Sequence, residues 1–528
     1  MSDTADIIVV GAGGGSLAAA AYLAKSGLDV LVLERNPWIG GGVITREVTQ
    51  PGYKNDIHST GHIFIQANPM IYKDELELQA KFGLEYIASP IFFSSVFPDG
   101  QVLKTYCNLD KSCESIAQFS RKDAEAYRKF VKKSEAMLPL FQMGLFNPPM
   151  PFGGFMAMLD QSPVGKTMIG DMMKSTYDLV LETFESEKVQ MHFMRWASEA
   201  MMAPETRGTG AVLYLMCSFV HNYEAKFPKG GSGELSNALQ RCIEHYNGRV
   251  MVNAPVKRAI IAGGRATGVE LDDGRVFKAR KAVVACVHPF LLNDFVGGGL
   301  DAGVQESIRK IAHADYSAMN THYALHEAPK YKFDTEELKT SFAVETQPHT
   351  MEEFRLMFDA YRYNKVPEHI SVLSICLSQF DKTRAPDGKH TLYLYTFMPN
   401  AVNGNVNNWA QLKDKVADRM FESLQAVTTN MTRDNLIGER HVDSPLEMAR
   451  HSASFQNGDI GGAGLFIFQF MGRRPTPELA NYNVPGYEGL YLVGPFMHPG
   501  GGVIGGGRPA AIKVMRDLKM KTDHLATR

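Results

Sequence analysis

Apolar positions along this chain fall into a few distinct patterns. Near the start, "IIVV" (Ile7 to Val10) is a β-branched run suited to a parallel strand buried on both faces. Gly11, Gly13 and Gly14 then make a turn into "SLAAAAYLAKSG", a strong helix former that Gly27 ends. "DVLVLE" supplies a second strand finishing at Glu34. From Gly248 to Cys286 apolar and polar residues alternate, with breaks at "AGGR" and "DDGR". That pattern predicts a strand-rich region returning to the first sheet, with turns at those two places. Close to the C-terminus the apolar "GLYLVG" and the helical "AAIKVMRDL" flank a segment in which six of the eight residues from Gly500 to Gly507 are glycine. Glycine in ordered chain costs backbone entropy, so something must come close to this backbone.

The first pattern carries chemistry. Glycines at 11, 13, 14 and 15 let backbone N–H groups and a helix N-terminus approach a pyrophosphate, and an acid ending the second strand accepts ribose hydroxyls. The third glycine position holds Ser16, which is still small enough for close helix–strand packing. Glu34 would repel a 2′-phosphate, so NAD or FAD is favoured over NADP. Arg35 follows it, and a second glycine cluster, Gly40 to Gly42, comes within a few residues. An NAD dehydrogenase would continue there into another helix and strand. A second backbone approach so near the first suggests an elongated flavin dinucleotide, with Arg35, Gly41 and Gly42 in the cofactor-binding set.

Composition narrows the partners. A chain of 528 residues exceeds one compact core and predicts two or more domains. The net charge of −2 makes nucleic acid a poor partner. Six scattered cysteines without a C-x-x-C pair read as reduced thiols of a cytoplasmic protein. The apolar stretch Ile7 to Ala24 is not read as a signal peptide, because its leader carries Asp3 and Asp6 and no basic residue. "LPLFQMGLFNPPMPFGGFMAML" (Leu138 to Leu159) has no charge, but Pro139, Pro148, Pro149 and Pro151 argue against a continuous spanning helix. It reads as a loop lining an apolar cavity or touching a membrane surface peripherally, or equally as buried packing between helices. The basic tail, with Arg516, Lys519 and Lys521, reads as a solvated helix end, with a membrane surface as the alternative. His322 and His326 stand four apart, but the H-E-x-x-H arrangement is missing and no metal site is expected.

With these motifs quoted, the sequence resembles the phytoene desaturase-like branch of the FAD-dependent amine-oxidase and desaturase superfamily. That branch includes carotenoid desaturase and ketolase proteins, retinol saturases and pyridine nucleotide–disulphide oxidoreductase domain 2-like proteins. The resemblance recurs in the block from Phe227 to Cys286, which a Pro-x-Gly-Gly turn opens, in "DKTRAPDGKHTLYLYTFMP" and "SPLEMA", and in "GLYLVGPFMHPGGGVIGGGRPAA". It implies an α/β fold: a Rossmann-type FAD-binding domain of the glutathione-reductase/amine-oxidase type with an interleaved α+β substrate domain. Roughly, residues 1–90, 215–300 and 450–528 would bind FAD, and 91–214 and 301–449 would form the substrate domain and cap.

The resemblance also implies roles. The backbone at Val256 would meet the adenine. Gly494, Gly501 and Gly502 would lie against the isoalloxazine, and Val503 and Ile504 would start a helix aimed at its N1–C2=O edge. His58, Ser59 and Thr60 would pass the ring. His58 or His498 would take a proton during hydride transfer to flavin N5, the alternative being that each only hydrogen-bonds the flavin or fills space. His62 reads as structural. FAD is expected to be non-covalent. The substrate would be a lipophilic small molecule, isoprenoid or alicyclic; the Met-rich region from Met137 to Met202 suits a pocket for it. The electron acceptor stays open between oxygen, a quinone or another. Two further classes remain: a double-bond isomerase or saturase using reduced flavin, and a binding module like the Rab escort proteins. Both glycine clusters and Glu34 argue against the last.

Overall fold

The computed structural model describes residues 3–502, 506–522 and 525. Its opening unit follows from the sequence: strand Thr4–Val10, helix Gly14–Lys25, strand Val30–Leu33. Among the described residues two seven-stranded sheets organise the molecule, with two small two-stranded ones beside them. In the first, the order is Val256–Ala262, Arg265–Leu271, Val276–Ala285, Thr4–Val10, Val30–Leu33 and Arg249–Met251, and Leu490–Leu492 also pairs with Val276–Ala285. Thr4–Val10 runs parallel to both of its neighbours, and Val30–Leu33 runs parallel to Arg249–Met251. The alternating block forms antiparallel neighbours instead, turning at Gly263, Gly264 and Gly274, all at positive φ. The second sheet runs Leu436–Asp443, Ser317–Leu325, His390–Met398, Leu373–Ile375, Ser341–Thr346, Ile91–Val96 and Val102–Tyr106. The strands of the first sheet thus lie within 1–90, 215–300 and 450–528, and those of the second within 91–214 and 301–449.

Helix Gly14–Lys25 is buried from Leu17 to Ala24 because small residues let it pack tightly between sheet and neighbouring helices. It packs closely on Gly507, the first residue of helix Gly507–Asp517. A Cβ on Gly507 would run into the Gly15 carbonyl oxygen and lie 2.7 Å from Ala18 Cβ. One glycine of the C-terminal cluster is therefore explained by helix–helix contact. Gly507→Ala is expected to cost about 1–3 kcal/mol by overpacking against backbone that cannot yield, seen as a lower urea midpoint at unchanged slope.

The charge-free stretch departs from expectation at one point. Pro139 lies inside helix Arg121–Leu145 and does not end it. Both Pro139 and Glu135, whose carbonyl loses its partner, are exposed, so water can satisfy that carbonyl. A second helix, Phe152–Leu159, follows after Pro151. Met137, Met168, Met172, Met191 and Met194 are all buried in the helical layer's core. Among the described residues no helix is long and apolar enough to cross a membrane. His322 lies on strand Ser317–Leu325 and His326 just beyond it, and among the described residues no group of histidine, cysteine and carboxylate side chains is arranged to hold a metal ion.

Candidate functional site

The site grows from the first turn of the chain. Gly11 has φ +86°, and a Cβ there would press on Cys286 at 3.2 Å. Helix Gly14–Lys25 begins at Gly13 with no side-chain cap and no acid in its first turn. Glu34, buried at the end of its strand, accepts hydrogen bonds from the backbone N–H of Ala12 (2.7 Å) and Asn36 (2.9 Å). Its carboxylate is thereby fixed against the turn. A Cβ on Gly13 would meet nothing within 4 Å, and Ser16 Oγ is buried without a hydrogen-bond partner. An uncapped helix start, open space beside Gly13 and an orphaned hydroxyl fit a dinucleotide phosphate there. Arg35 is exposed and reaches the His451 carbonyl. Val256 opens its strand, just after Ala254, whose N–H bonds the Glu34 carbonyl oxygen.

The second glycine cluster folds back onto the first. Gly40 N–H donates to the Ala12 carbonyl, and a Cβ on Gly41 would lie 3.0 Å from Gly13 Cα. Beyond the turn a buried ion cluster anchors the returning chain. Arg384 donates to Asp56 (2.7 Å) and Asp381 (3.2 Å), while Asp56 also accepts from Thr45 Oγ1 and from Ser232 N–H. Arg384 comes from the "DKTRAPDGKH" motif, so this cluster ties the glycine turn to the second sheet's segments.

His58 follows directly. Ser59 N–H donates to the Gly42 carbonyl, and Thr60 Oγ1 to that of His58. The side chain of Asn320, on the second sheet, donates to the Ile57 carbonyl at 2.6 Å. His58 therefore sits where the nucleotide turn meets the second sheet. Its Nε2 is 3.0 Å from His451 Nδ1, and its ring meets the edge of Phe455. Burial, then the neighbouring His451, pushes the His58 pKa down to about 4, so it is a neutral base at neutral pH. Its Nδ1 is buried without a hydrogen-bond partner. His62 is wholly buried between Tyr86 and Ser232, each at 3.0 Å.

The C-terminal glycines are held from behind by Arg474. This fully buried guanidinium donates to the carbonyls of Met497, Pro495, Gly461, Ala463 and Gly464. A Cβ on Gly500 would strike Leu465 at 2.7 Å, and one on Gly501 would lie 3.0 Å from Gly461 Cα. At Gly494, with φ +149°, a Cβ would strike Phe496. Of 500–502, Gly502 is the one where a Cβ would meet nothing within 4 Å among the described residues. At Gly500 and Gly501 the space a Cβ would take is filled by the chain itself. Val503 and Ile504 lie outside the described residues. His498 is fully buried; its Nε2 is 2.8 Å from the Gly144 carbonyl oxygen, and burial pushes its pKa down to about 3.

The second sheet faces this junction with aromatic side chains. Its register sets Asn320 beside Tyr395 and His322 beside Tyr393, with Ala318 and Phe397 continuing the same face. Arg195 is buried against it, over the Phe397 ring and bonded to Glu345 and Glu199. Burial lifts the Glu345 pKa to about 7 against the pull of Arg195. Sequence reasoning missed His451, Asp443, Arg384 and Arg474. One signal existed: Ser444 and Glu447 form a capping box that starts helix Pro445–His451 and so places His451 at its end.

Comparison with known proteins agrees with the fold. A family model for an NAD(P)-binding Rossmann-like domain matches residues 9–72. The rat pyridine nucleotide-disulfide oxidoreductase domain-containing protein 2 is 29% identical, covering 97% of this chain and 94% of that protein. One of the limonene dehydrogenase polypeptides of Castellaniella defragrans is 24% identical over 97% and 95%. The lycopene-forming phytoene desaturase of Pseudescherichia vulneris is 26% identical over 94% and 96%. The chain is similar to the phytoene desaturase-like oxidoreductases along almost its whole length. Its fold is that of the amine-oxidase-type oxidoreductases. Cyclohexylamine oxidase from Brevibacterium oxydans superposes with a TM-score of 0.56 at 16% identity, over 98% of this chain and 99% of that one. An oxidoreductase from Methanosarcina mazei reaches 0.61 at 15%, over 97% and 99%.

Proposed function

We propose that this protein binds FAD non-covalently and dehydrogenates a CH–CH bond of a lipophilic substrate of the isoprenoid or alicyclic class. The observation that carries the reading is the position of His58, a neutral base between the two glycine turns and the aromatic face of the second sheet. The similarity to a limonene dehydrogenase polypeptide and a phytoene desaturase supports the substrate class. Bound FAD would supply the two-electron acceptor, taking hydride at N5.

In this reading the chain's own residues have separate tasks. The Gly11–Gly15 turn and the start of helix Gly14–Lys25 hold the pyrophosphate, and Glu34 the ribose hydroxyls. The chain beside Val256 closes over the adenine. Gly41, Gly42, Ser59, Thr60 and the described C-terminal glycines line the far end. Tyr393 and Tyr395, stacked on each other, exclude water and present an aromatic wall. His58 Nδ1 takes the proton that leaves the substrate, and His498 holds the C-terminal segment against the carbonyl of Gly144. The segments 1–90, 215–300 and 450–528 act as the cofactor domain.

Glu34→Gln is expected to weaken dinucleotide binding about tenfold. It exchanges charge-assisted hydrogen bonds for neutral ones, about 1.4 kcal/mol, and calorimetric titration of apoprotein with FAD measures this. The function itself is tested by mixing the holoprotein anaerobically with isoprenoid hydrocarbons, alicyclic ketones and alicyclic acids. Bleaching of the flavin absorbance by one of them is the expected result. No bleaching by any, with turnover only after pre-reduction, would replace dehydrogenation with the saturase or isomerase reading.

A further inference from the structure

Behind His58 lies a cluster that the nucleotide motifs do not explain. Five titratable side chains from four separate parts of the chain converge there: His58, His322, His441, Asp443 and His451. Asp443 is fully buried at the end of strand Leu436–Asp443. Its Oδ1 lies 3.1 Å from His441 Nε2 and 3.7 Å from His451 Nε2. On its other side, His451 meets His58 through Nδ1 at 3.0 Å. His322 approaches from the second sheet, its ring centroid 5.8 Å from that of His441 and 5.0 Å from that of Tyr393.

The order of these groups fixes their protons. Two ring nitrogens 3.0 Å apart need one N–H and one lone pair between them. The Asp443 carboxylate, 3.7 Å from His451 Nε2 and beyond hydrogen-bond length, favours the hydrogen on that nitrogen by its charge, leaving Nδ1 bare to accept from His58 Nε2–H. His58 Nδ1 must then carry a lone pair. It is this nitrogen that is buried without a protein partner.

We propose that Asp443 and His451 are positioning residues that hold His58 in the Nε2–H tautomer, with Nδ1 as the base. The proposal deepens the dehydrogenase reading and rests on it. A proton leaving a substrate carbon joins His58 Nδ1, the electron pair it leaves becomes the new C=C bond, and the neighbouring carbon gives up a hydride to the acceptor that bound FAD would supply. The resulting imidazolium keeps its Nε2–H on His451 Nδ1, now a charge-assisted bond, and the Asp443 carboxylate balances the charge one ring further on. After product leaves, the Nδ1 proton passes to water and the base is restored.

The surrounding groups fit. Burial would raise the Asp443 pKa, but His441, His451 and His322 bring it down to about 2, so it is a carboxylate throughout the working range. Burial lowers His451; Asp443 and Glu447 oppose this, while His441 and Arg46 add to it. His58 itself faces His451, Asp443 and His441, and its ring centroid lies 5.6 Å from that of Phe455, edge to face. Burial, above all, pushes His322 down to about 3, so it adds no positive charge beside His58.

The test has a readout independent of turnover. In apoprotein with 15N-labelled histidine, the ring nitrogen shifts of His58 are expected to report Nε2–H in the wild type and in His451→Gln, whose amide oxygen still accepts. His451→Phe, which cannot accept, is expected to lose that preference. In holoprotein, His451→Phe and Asp443→Asn are expected to slow flavin bleaching about 10²-fold at a KM within about twofold of wild type, with His451→Gln falling between. An Nδ1–H tautomer in the wild type overturns the proposal. So does wild-type bleaching in a folded His451→Phe. If no compound bleaches the wild type, the dehydrogenase reading fails, and the tautomer still decides whether the pair positions His58. Should His451→Phe not fold, Asp443→Asn and the wild-type tautomer decide.

Discussion

Arg474→Met will lose at least about 3 kcal/mol of stability, the range expected when a buried charge network is broken. Five backbone carbonyls converge on this one guanidinium, at 2.9 to 3.3 Å. No carboxylate is among these partners, so the charge is solvated by peptide dipoles. Burial lowers its pKa to about 10, which still leaves it protonated at neutral pH. Methionine fills similar volume but donates nothing, and each abandoned carbonyl in a water-free site carries its desolvation cost. Arg474→Lys will rescue only part of the loss, since three donors on a point charge cannot reach five acceptors spread over a fork. Urea unfolding of the two variants checks both statements. A loss under about 1 kcal/mol for Arg474→Met would mean the loops 461–464 and 494–502 hold without the clamp. Because those loops frame the C-terminal glycines, the same variant should also release flavin more readily on dilution.

What could be read from the sequence depended on how local the interaction is. Gly11 to Glu34 was legible because its strand, turn, helix and strand are consecutive and each carries its own pattern. The hairpins turning at "AGGR" and "DDGR" were legible for the same reason. The second sheet was not legible strand by strand: Ile91–Val96 pairs with Ser341–Thr346, and nothing in either run names the other. Arg474 gave no signal because its partners are backbone carbonyls of distant loops, and the capping box that announces the helix ending at His451 does not name the distant ring His451 meets. The C-terminal glycines show the limit most clearly. Their number announced a close approach, but a missing Cβ does not say what approaches. At Gly500, Gly501 and Gly507 the space a Cβ would take is filled by other parts of the same chain.

His58→Ala will slow substrate-driven flavin bleaching by about 10²- to 10⁴-fold, the span of a general base, while leaving the flavin spectrum and the unfolding midpoint near wild type. The side chain makes one hydrogen bond, to His451, so its loss costs little stability. The pH profile gives the sharper reading. A base works only when unprotonated, so activity falls as pH drops through its pKa. An unperturbed histidine would lose half its activity near about pH 6.5. With its pKa pushed down to about 4, His58 should keep the rate flat from neutral pH to about 5 and lose it only below. The depressed value has a consequence for proton transfer as well. A weak base is a poor acceptor from carbon, so the site needs the imidazolium to be stabilised as it forms. In the proposed arrangement the Asp443–His451 pair would supply that stabilisation at the moment of transfer, so the rate loss in Asp443→Asn is expected in kcat and not in KM.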